Sequence, residues 1–433
     1  QNLNDIYTYI LSPDEIKKLT KKILTLCNVK KVQRSHKISE KDILLITYAD
    51  SIKRNKIKSL LVLEKFLHNF IKNTFNSVHI LPFYPSSSDG GFSVIDFLKI
   101  DSKHGNWKDL KKISKEYRIM VDIVLNHGSS KSKWFKNFLL GKGEGQDFFY
   151  SLDNECNTNH VVRARSHKLL QKYKTNRGYK YLWCTFSRDQ VDFDYRNPKV
   201  LLKFISIIKF IREQGPSIFR FDAVAFLWKR LESSCINLDQ THAIIRLFRT
   251  FLDQTNKNSI IVTETNLPFH ENLSYFGSSD EAHMIYNFSL APLILNTLIK
   301  GNSAAFRRWS MSMPPAKDGN FYLNFLATHD GIGIRPLEGI INKSDLSKLL
   351  ETLKAFGSKF TYRKQKNNNL SVYEANISLM DAMSGTIYGK DNLNYKRFFC
   401  AHAIMLSFEG LPAIYIHSLL GTRNDIKLYN KTK

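Results

Sequence analysis

Cysteine is scarce and scattered. Cys27, Cys156, Cys184, Cys235 and Cys400 contain no CxxC pair and are odd in number. Neither a disulfide framework nor a cysteine zinc site fits this usage, and a reducing, cytoplasmic setting is the natural reading. Long apolar runs are lacking too. The greasiest stretch, Val200–Ile211, is interrupted by Lys203 and Lys209. It is too short and too charged to span a bilayer. The segment Gln1–Tyr9 is polar and holds no apolar signal core. The chain opens on Gln1 rather than Met, which reads as a fragment or a trimmed chain. Acidic residues are in deficit, 39 against 64 basic ones, for a net charge of +25. Lysine runs lie at Lys17–Lys22 and Lys30–Lys37. No aromatic-interleaved basic stripe or DNA-binding motif accompanies them. The charge therefore reads as solvated surface, with no nucleic-acid and no membrane partner.

What is present is core-forming material. Hydrophobic residues make up 43% of 433, and aromatics 12%, which excludes global disorder. The length suits two to three domains, or one large barrel with insertions. Short apolar runs, rich in β-branched residues, predict strands at Ile43–Tyr48, Val78–Pro82, Ile119–Leu125 and Ser217–Asp222. Four more follow at Ser259–Glu264, His283–Asn287, Phe321–Ala327 and Ala413–His417. Such continuous runs suit parallel strands buried on both faces. Helical patterns lie between them at Ile57–Ile71, Asn106–Glu116, Lys199–Glu213, Asp239–Leu252 and Pro292–Ile299.

Eight strands alternating with helices predict an α/β fold, a (β/α)8 TIM barrel. An open doubly wound sheet is the alternative, but no GxGxxG follows the first strand. Two segments break the rhythm. About 70 residues separate the third strand from the next barrel helix, too many for a plain loop. The expected division is barrel 1–128, an inserted subdomain 129–197, and barrel 198–433. A second insertion runs from Gly331 to about Leu393 and contains a helix, Lys343–Phe356.

A barrel of this kind keeps its reactive groups at the C-terminal strand ends. Those ends carry Thr47–Tyr48–Ala49–Asp50, Asp122 with Asn126–His127, Arg220–Phe221–Asp222, Thr263–Glu264–Thr265 and Thr328–His329–Asp330. Asp222, Glu264 and Asp330 would converge on one mouth, with His127 and His329 beside them. Arg220 would otherwise be an unpaired charge on a buried strand, which a site carboxylate resolves. Asp122 lies mid-strand and reads as a supporting residue. Converging carboxylates need a reason, because like charges repel. Glycoside chemistry gives one: an oxocarbenium-like transition state is cationic, and the reaction needs a nucleophile and an acid/base. A divalent-metal site is the alternative, without the usual His pair at i, i+4 or DxD. Trp107, Trp183 and Trp228 are sugar-stacking candidates that read better as packing.

At these residues the chain resembles the α-amylase superfamily of retaining glycosidases and transglucosidases, in its sucrose phosphorylase branch. Val121–His127, Phe219–Val224, Ile261–Asn266 and Ala327–Asp330 resemble its four signature regions, in order. The runs Leu81–Ile95, Thr263–Gly277, Ala327–Gly339 and Pro412–Leu420 resemble phosphorylases of sucrose, sucrose 6-phosphate, glucosylglycerate and glucosylglycerol. The resemblance implies Asp222 as nucleophile, Glu264 as acid/base and Asp330 as stabiliser of the distorted sugar. It implies that Arg220 orients Asp222, that His127 and His329 bind hydroxyls, and that Asp50 binds the far end of the glucosyl ring. Phosphate needs local cations, for which Arg335 and the segment Ile416–Arg423 are candidates. The implied partners are a sugar and inorganic phosphate, with no cofactor and no metal. The product would be α-glucose 1-phosphate, released to phosphate from a covalent β-glucosyl-enzyme. The branch continues into a final barrel helix and a small β domain, so the chain reads as C-terminally truncated. A hydrolase or transglucosidase of the same superfamily, or an inactive truncated barrel, are the alternatives. The acceptor (fructose, fructose 6-phosphate, glycerate or glycerol) and the oligomeric state are left open.

Overall fold

The strands come first, because they fix every later position. In the computed structural model they are Leu44–Thr47, Ser77–Ile80, Arg118–Val124 and Ile218–Asp222. Strands five to eight are Ile260–Thr263, Met284–Tyr286, Phe321–Phe325 and Leu411–Tyr415. Each of the eight overlaps a run expected from sequence. All pair in parallel with their neighbours, and the eighth closes on the first through Leu44↔Ala413. The eight strands therefore form a closed TIM barrel. The structure describes residues 1–27, 38–163, 165, 167–255, 258–317, 319–364 and 370–432. The lysine run Lys30–Lys37 lies outside them.

Local chemistry explains where the helices begin. Asn197 accepts a hydrogen bond from the backbone N–H of Lys199, and Pro198 opens Pro198–Glu213 without wasting a donor. That helix buries Val200, Leu201, Phe204, Ile205, Ile208 and Ile211 against the barrel. Each such side chain contributes about 1.5–3 kcal/mol of transfer free energy. Asn106 and Asp109 form a capping box at the start of Trp107–Ile113. A helix at Pro13–Leu26 was not expected, although Ser12 and Glu15 form the same signature there. The helix expected at Ile57–Ile71 starts at Ser59 and widens into a π turn over Leu67–Ile71.

Two excursions leave the barrel at its C-terminal face. Between strand three and Pro198, the strands Ser151–Leu152, Leu170–Thr175 and Gly178–Trp183 form a small antiparallel sheet. In the same segment Gln190–Asp192 pairs with His127–Ser129, directly beyond strand three. After strand seven, Ile332–Gly333 pairs with Leu370–Asn376, which pairs with Lys359–Lys364. The helix Lys343–Ala355 lies between these strands in sequence. Among the described residues no helix is long and apolar enough to cross a membrane.

Candidate active site

A cavity of about 300 Å³ opens at the C-terminal face of the barrel. Asp222, Glu264 and Asp330 all line it, with His127, Arg220 and His329. Strand ends bring them together, as the alternation of a barrel strand requires.

At the base lies an ionic chain. Arg220 Nη1 donates to Asp222 Oδ1 at 2.8 Å and to Asp122 Oδ1 at 2.5 Å. Arg220 Nε donates to the Tyr286 hydroxyl at 3.0 Å. His79 Nε2 meets Asp122 Oδ2 at 2.8 Å. Against the burial that would raise it, His79 and Arg220 hold Asp122 down to about 2. Asp122 thus anchors the arginine that anchors Asp222, in keeping with its supporting position mid-strand.

Glu264 is held differently. Its Oε2 accepts only the backbone N–H of Ala223 at 3.2 Å, and no cation pairs with it among the described residues. Burial raises the carboxyls of both Glu264 and Asp222, and the charge of Asp330 pushes Glu264 further. Arg220 opposes the rise at both but, of these two carboxyls, hydrogen-bonds only to that of Asp222. Asp330, half exposed at the mouth, lies 3.5 Å from His329 Nε2.

Aromatic faces shape the cavity. Phe92 stacks on His329 with centroids 5.1 Å apart, and Tyr48 meets the same ring edge-on. Burial lowers both His127 and His329, leaving neutral imidazoles suited to hydroxyl groups. The three tryptophan candidates do not line the cavity; Trp183 and Trp228 are buried in packing.

Some expected residues lie elsewhere. Asp50 pairs with Lys53 at 3.1 Å and does not line the cavity. Strand one ends at Thr47, so the chain turns before Asp50, and Tyr48 takes the inward place. Arg335 sits in a side cavity behind Glu264 rather than in the main one. His417 contacts Thr422, and Arg423 pairs with Asp381 at 2.8 Å; neither lines the cavity. The insertions supply residues the strand ends did not reveal. Gln190, Arg165, Tyr373 and Glu374 all line the site. Burial, reinforced by Asp330, raises Glu374 to about 7. Among the described residues no group of three or more His, Cys, Asp or Glu is arranged to hold a metal.

A closed parallel barrel with carboxylates at the end of strand four and just after strand five defines a glycosidase-type class of barrel enzyme. Residues 67–332 match the family model "Alpha amylase, catalytic domain". The glucosylglycerate phosphorylase of Escherichia coli is 40% identical over 425 residues, covering 98% of this chain and 76% of its own. That of Spirochaeta thermophila is 41% identical, covering 88% of this chain and 65% of its own. The sucrose phosphorylase of Streptococcus mutans is 28% identical, with 90% and 79% covered. The crystal structure of a sucrose 6F-phosphate phosphorylase from Thermoanaerobacter thermosaccharolyticum shares the fold, with TM-score 0.81 and 24% identity over 93% of this chain and 81% of that one. The chain belongs to the α-amylase family, in the branch of the sucrose and glucosylglycerate phosphorylases.

Proposed function

We propose that this chain is a retaining phosphorylase that moves a glucosyl group from an α-glucoside to inorganic phosphate. One observation carries the division of labour: Arg220 pairs with Asp222, while Glu264 has no cation partner among the described residues. Asp222 is thereby the ionised nucleophile and Glu264 the proton carrier. In the first half, Asp222 Oδ bonds to the anomeric carbon as the bond to the aglycone oxygen breaks. Glu264 gives its proton to that oxygen. In the second half, a phosphate oxygen attacks the same carbon and the ester to Asp222 breaks. Glu264 recovers a proton from the incoming phosphate. Two inversions leave α-glucose 1-phosphate.

The other residues take supporting roles. Asp330 holds sugar hydroxyls at the mouth, with His127 and His329 as neutral partners. The segment 129–197 acts as an inserted subdomain that carries Gln190 and Arg165 over the site. Arg165, exposed at the cavity edge, gives phosphate a cation. A cytoplasmic location fits the five free cysteines.

Phosphate dependence tests the reading. With an α-glucoside donor, α-glucose 1-phosphate should appear only when phosphate is present. Glucose release at a rate indifferent to phosphate would leave a hydrolase on the same barrel.

A further inference from the structure

One wall of the main cavity is a tight loop, residues 86–94, which contributes Asp89, Gly90 and Phe92. Phe92 stacks on His329 and lies 5.6 Å from the guanidinium of Arg220. Its carbonyl oxygen is 3.2 Å from His127 Nε2. The loop reaches this place by an unfavourable route. Asp89, Gly90 and Gly91 follow one another at φ of +55°, +56° and +107°. Such a run, with a Cβ on its first member, persists only where the surroundings over-determine it. There is no slack behind it. A Cβ on Gly91 would lie 2.7 Å from the carbonyl oxygen of Pro82, and one on Gly90 2.9 Å from the Tyr48 hydroxyl. The loop is tied from outside by Asp189 of the first insertion. Its Oδ2 accepts from the hydroxyls of Ser88 at 2.6 Å and Ser93 at 2.7 Å, and from that of Ser87. All three serines belong to the loop. Its Oδ1 accepts from Ser130 at 2.6 Å, just beyond the strand His127–Ser129. The backbone of Asp189 is fixed independently, since the N–H of Ser130 donates to its carbonyl at 2.8 Å. The next residue, Gln190, donates through Nε2 to Asp89 Oδ2 at 2.8 Å.

We propose that Asp189 is a positioning residue for glucosyl transfer: by gathering the hydroxyls of Ser87, Ser88 and Ser93 it clamps the loop 86–94 to the first insertion and fixes the Phe92 wall of the sugar cavity. An ionised carboxylate only accepts, so the hydroxyls can turn their protons towards it without conflict. At 2.6 and 2.7 Å these are charge-assisted hydrogen bonds, about twice as strong as neutral ones. The clamp touches neither Asp222, which Arg220 holds, nor Glu264, which the N–H of Ala223 holds. Its loss therefore weakens the seating of the sugar in ground state and transition state alike, and leaves the chemical step at saturation nearly intact. The proposal rests on glucosyl chemistry in this cavity, but not on phosphate as the acceptor.

The test compares serines that hold the loop with one that does not. The double variant Ser88→Ala, Ser93→Ala removes two hydroxyls of the loop. Ser130→Ala removes a hydrogen bond of similar length to the same carboxylate but leaves the loop attached. Fluoride release from α-glucosyl fluoride reports cleavage whether water or phosphate takes the glucosyl group. The double variant should raise KM about tenfold and keep kcat within about threefold of the parent, while Ser130→Ala should move KM by less than about twofold. Asp189→Ala should match the double variant, and Asp189→Asn, which keeps one acceptor oxygen, should fall between. Amide hydrogen exchange over residues 86–94 should quicken in the double variant and in Asp189→Ala, but not in Ser130→Ala. Thermal melts record the stability each variant loses. A KM that rises equally in Ser130→Ala, or that follows lost stability instead of loop exchange, would make Asp189 a structural brace and overturn the proposal. So would an unchanged KM in the double variant. A parent that releases no fluoride would remove the glucosyl reading and the positioning role with it, even with loop exchange as expected.

Discussion

The backbone N–H of Ala223 donates to Oε2 of Glu264 at 3.2 Å, tying the residue after one key carboxylate to the other. Ala223 reaches that position with φ at +52°, a left-handed conformation costly for a residue with a Cβ. The strain sits between Asp222 and Glu264, where it fixes their relative placement. Ala223→Gly should keep stability within about 1 kcal/mol, since relief of strain offsets the added chain entropy. Ala223→Val should destabilise by more than that, because a β-branched residue tolerates this backbone poorly. Urea titration of both variants checks the order. A Val variant as stable as the parent would refute it.

Asp222→Asn preserves packing but removes the attacking charge. Turnover should fall by several orders of magnitude. Glu264→Gln should be as damaging with a poor leaving group, yet much milder with α-glucosyl fluoride, which needs little protonation. Initial rates on the two donors separate the roles. Equal loss on both for Glu264→Gln would remove it as the acid.

A buried ion pair locks the first insertion to the barrel. Lys229 Nζ lies 2.9 Å from Asp192 Oδ2, and both side chains are almost wholly buried. Asn126 and Thr185 also donate to Asp192. Lys229→Met would strand that carboxylate, at a cost of about 3–5 kcal/mol. Adding Asp192→Asn should recover part of the loss. Thermal melts of the single and double variants measure both effects.

Acid should loosen the same region. Burial would raise Asp189, yet hydroxyls of Ser130, Ser87, Ser88 and Ser93 hold it down to about 2. Its unfolded value is about 3.9. The native state therefore gains stability above about pH 4 and loses it as pH falls towards 2. Asp189→Asn should be less stable than the parent at pH 7, and the gap should shrink at pH 3 and below. Urea titrations at the two pH values read the gap directly.

Glu374 should make the site sensitive near neutrality. With its carboxyl raised to about 7, it is neutral below that pH and charged above it. A charged Glu374 repels anions entering the cavity it shares with Asp330 and Glu264. The KM for phosphate should rise through pH 7 in the parent by more than phosphate's own ionisation explains. Glu374→Gln should flatten that excess rise.

The barrel and its central carboxylates were legible in the chain because both depend on local pattern. A parallel strand buried on two faces must be a short continuous apolar run, and its C-terminal end must face the mouth. Asp222 and Glu264 follow from that rule alone, and Arg220 from the need to pair a buried cation. The rule stops where strands stop. The resemblance put Asp50 at the far end of the sugar, but strand one ends at Thr47 and Tyr48, not Asp50, lines the cavity. Everything the insertions bring was decided by tertiary structure. Gln190 reaches the site because Gln190–Asp192 pairs with His127–Ser129, and Glu374 because Leu370–Asn376 pairs with Ile332–Gly333. Asp189 meets Ser88 and Ser93 across 101 and 96 positions of chain. No periodicity encodes such meetings. They depend on which edge each excursion pairs with, and that is set by the burial and hydrogen bonding of the folded whole.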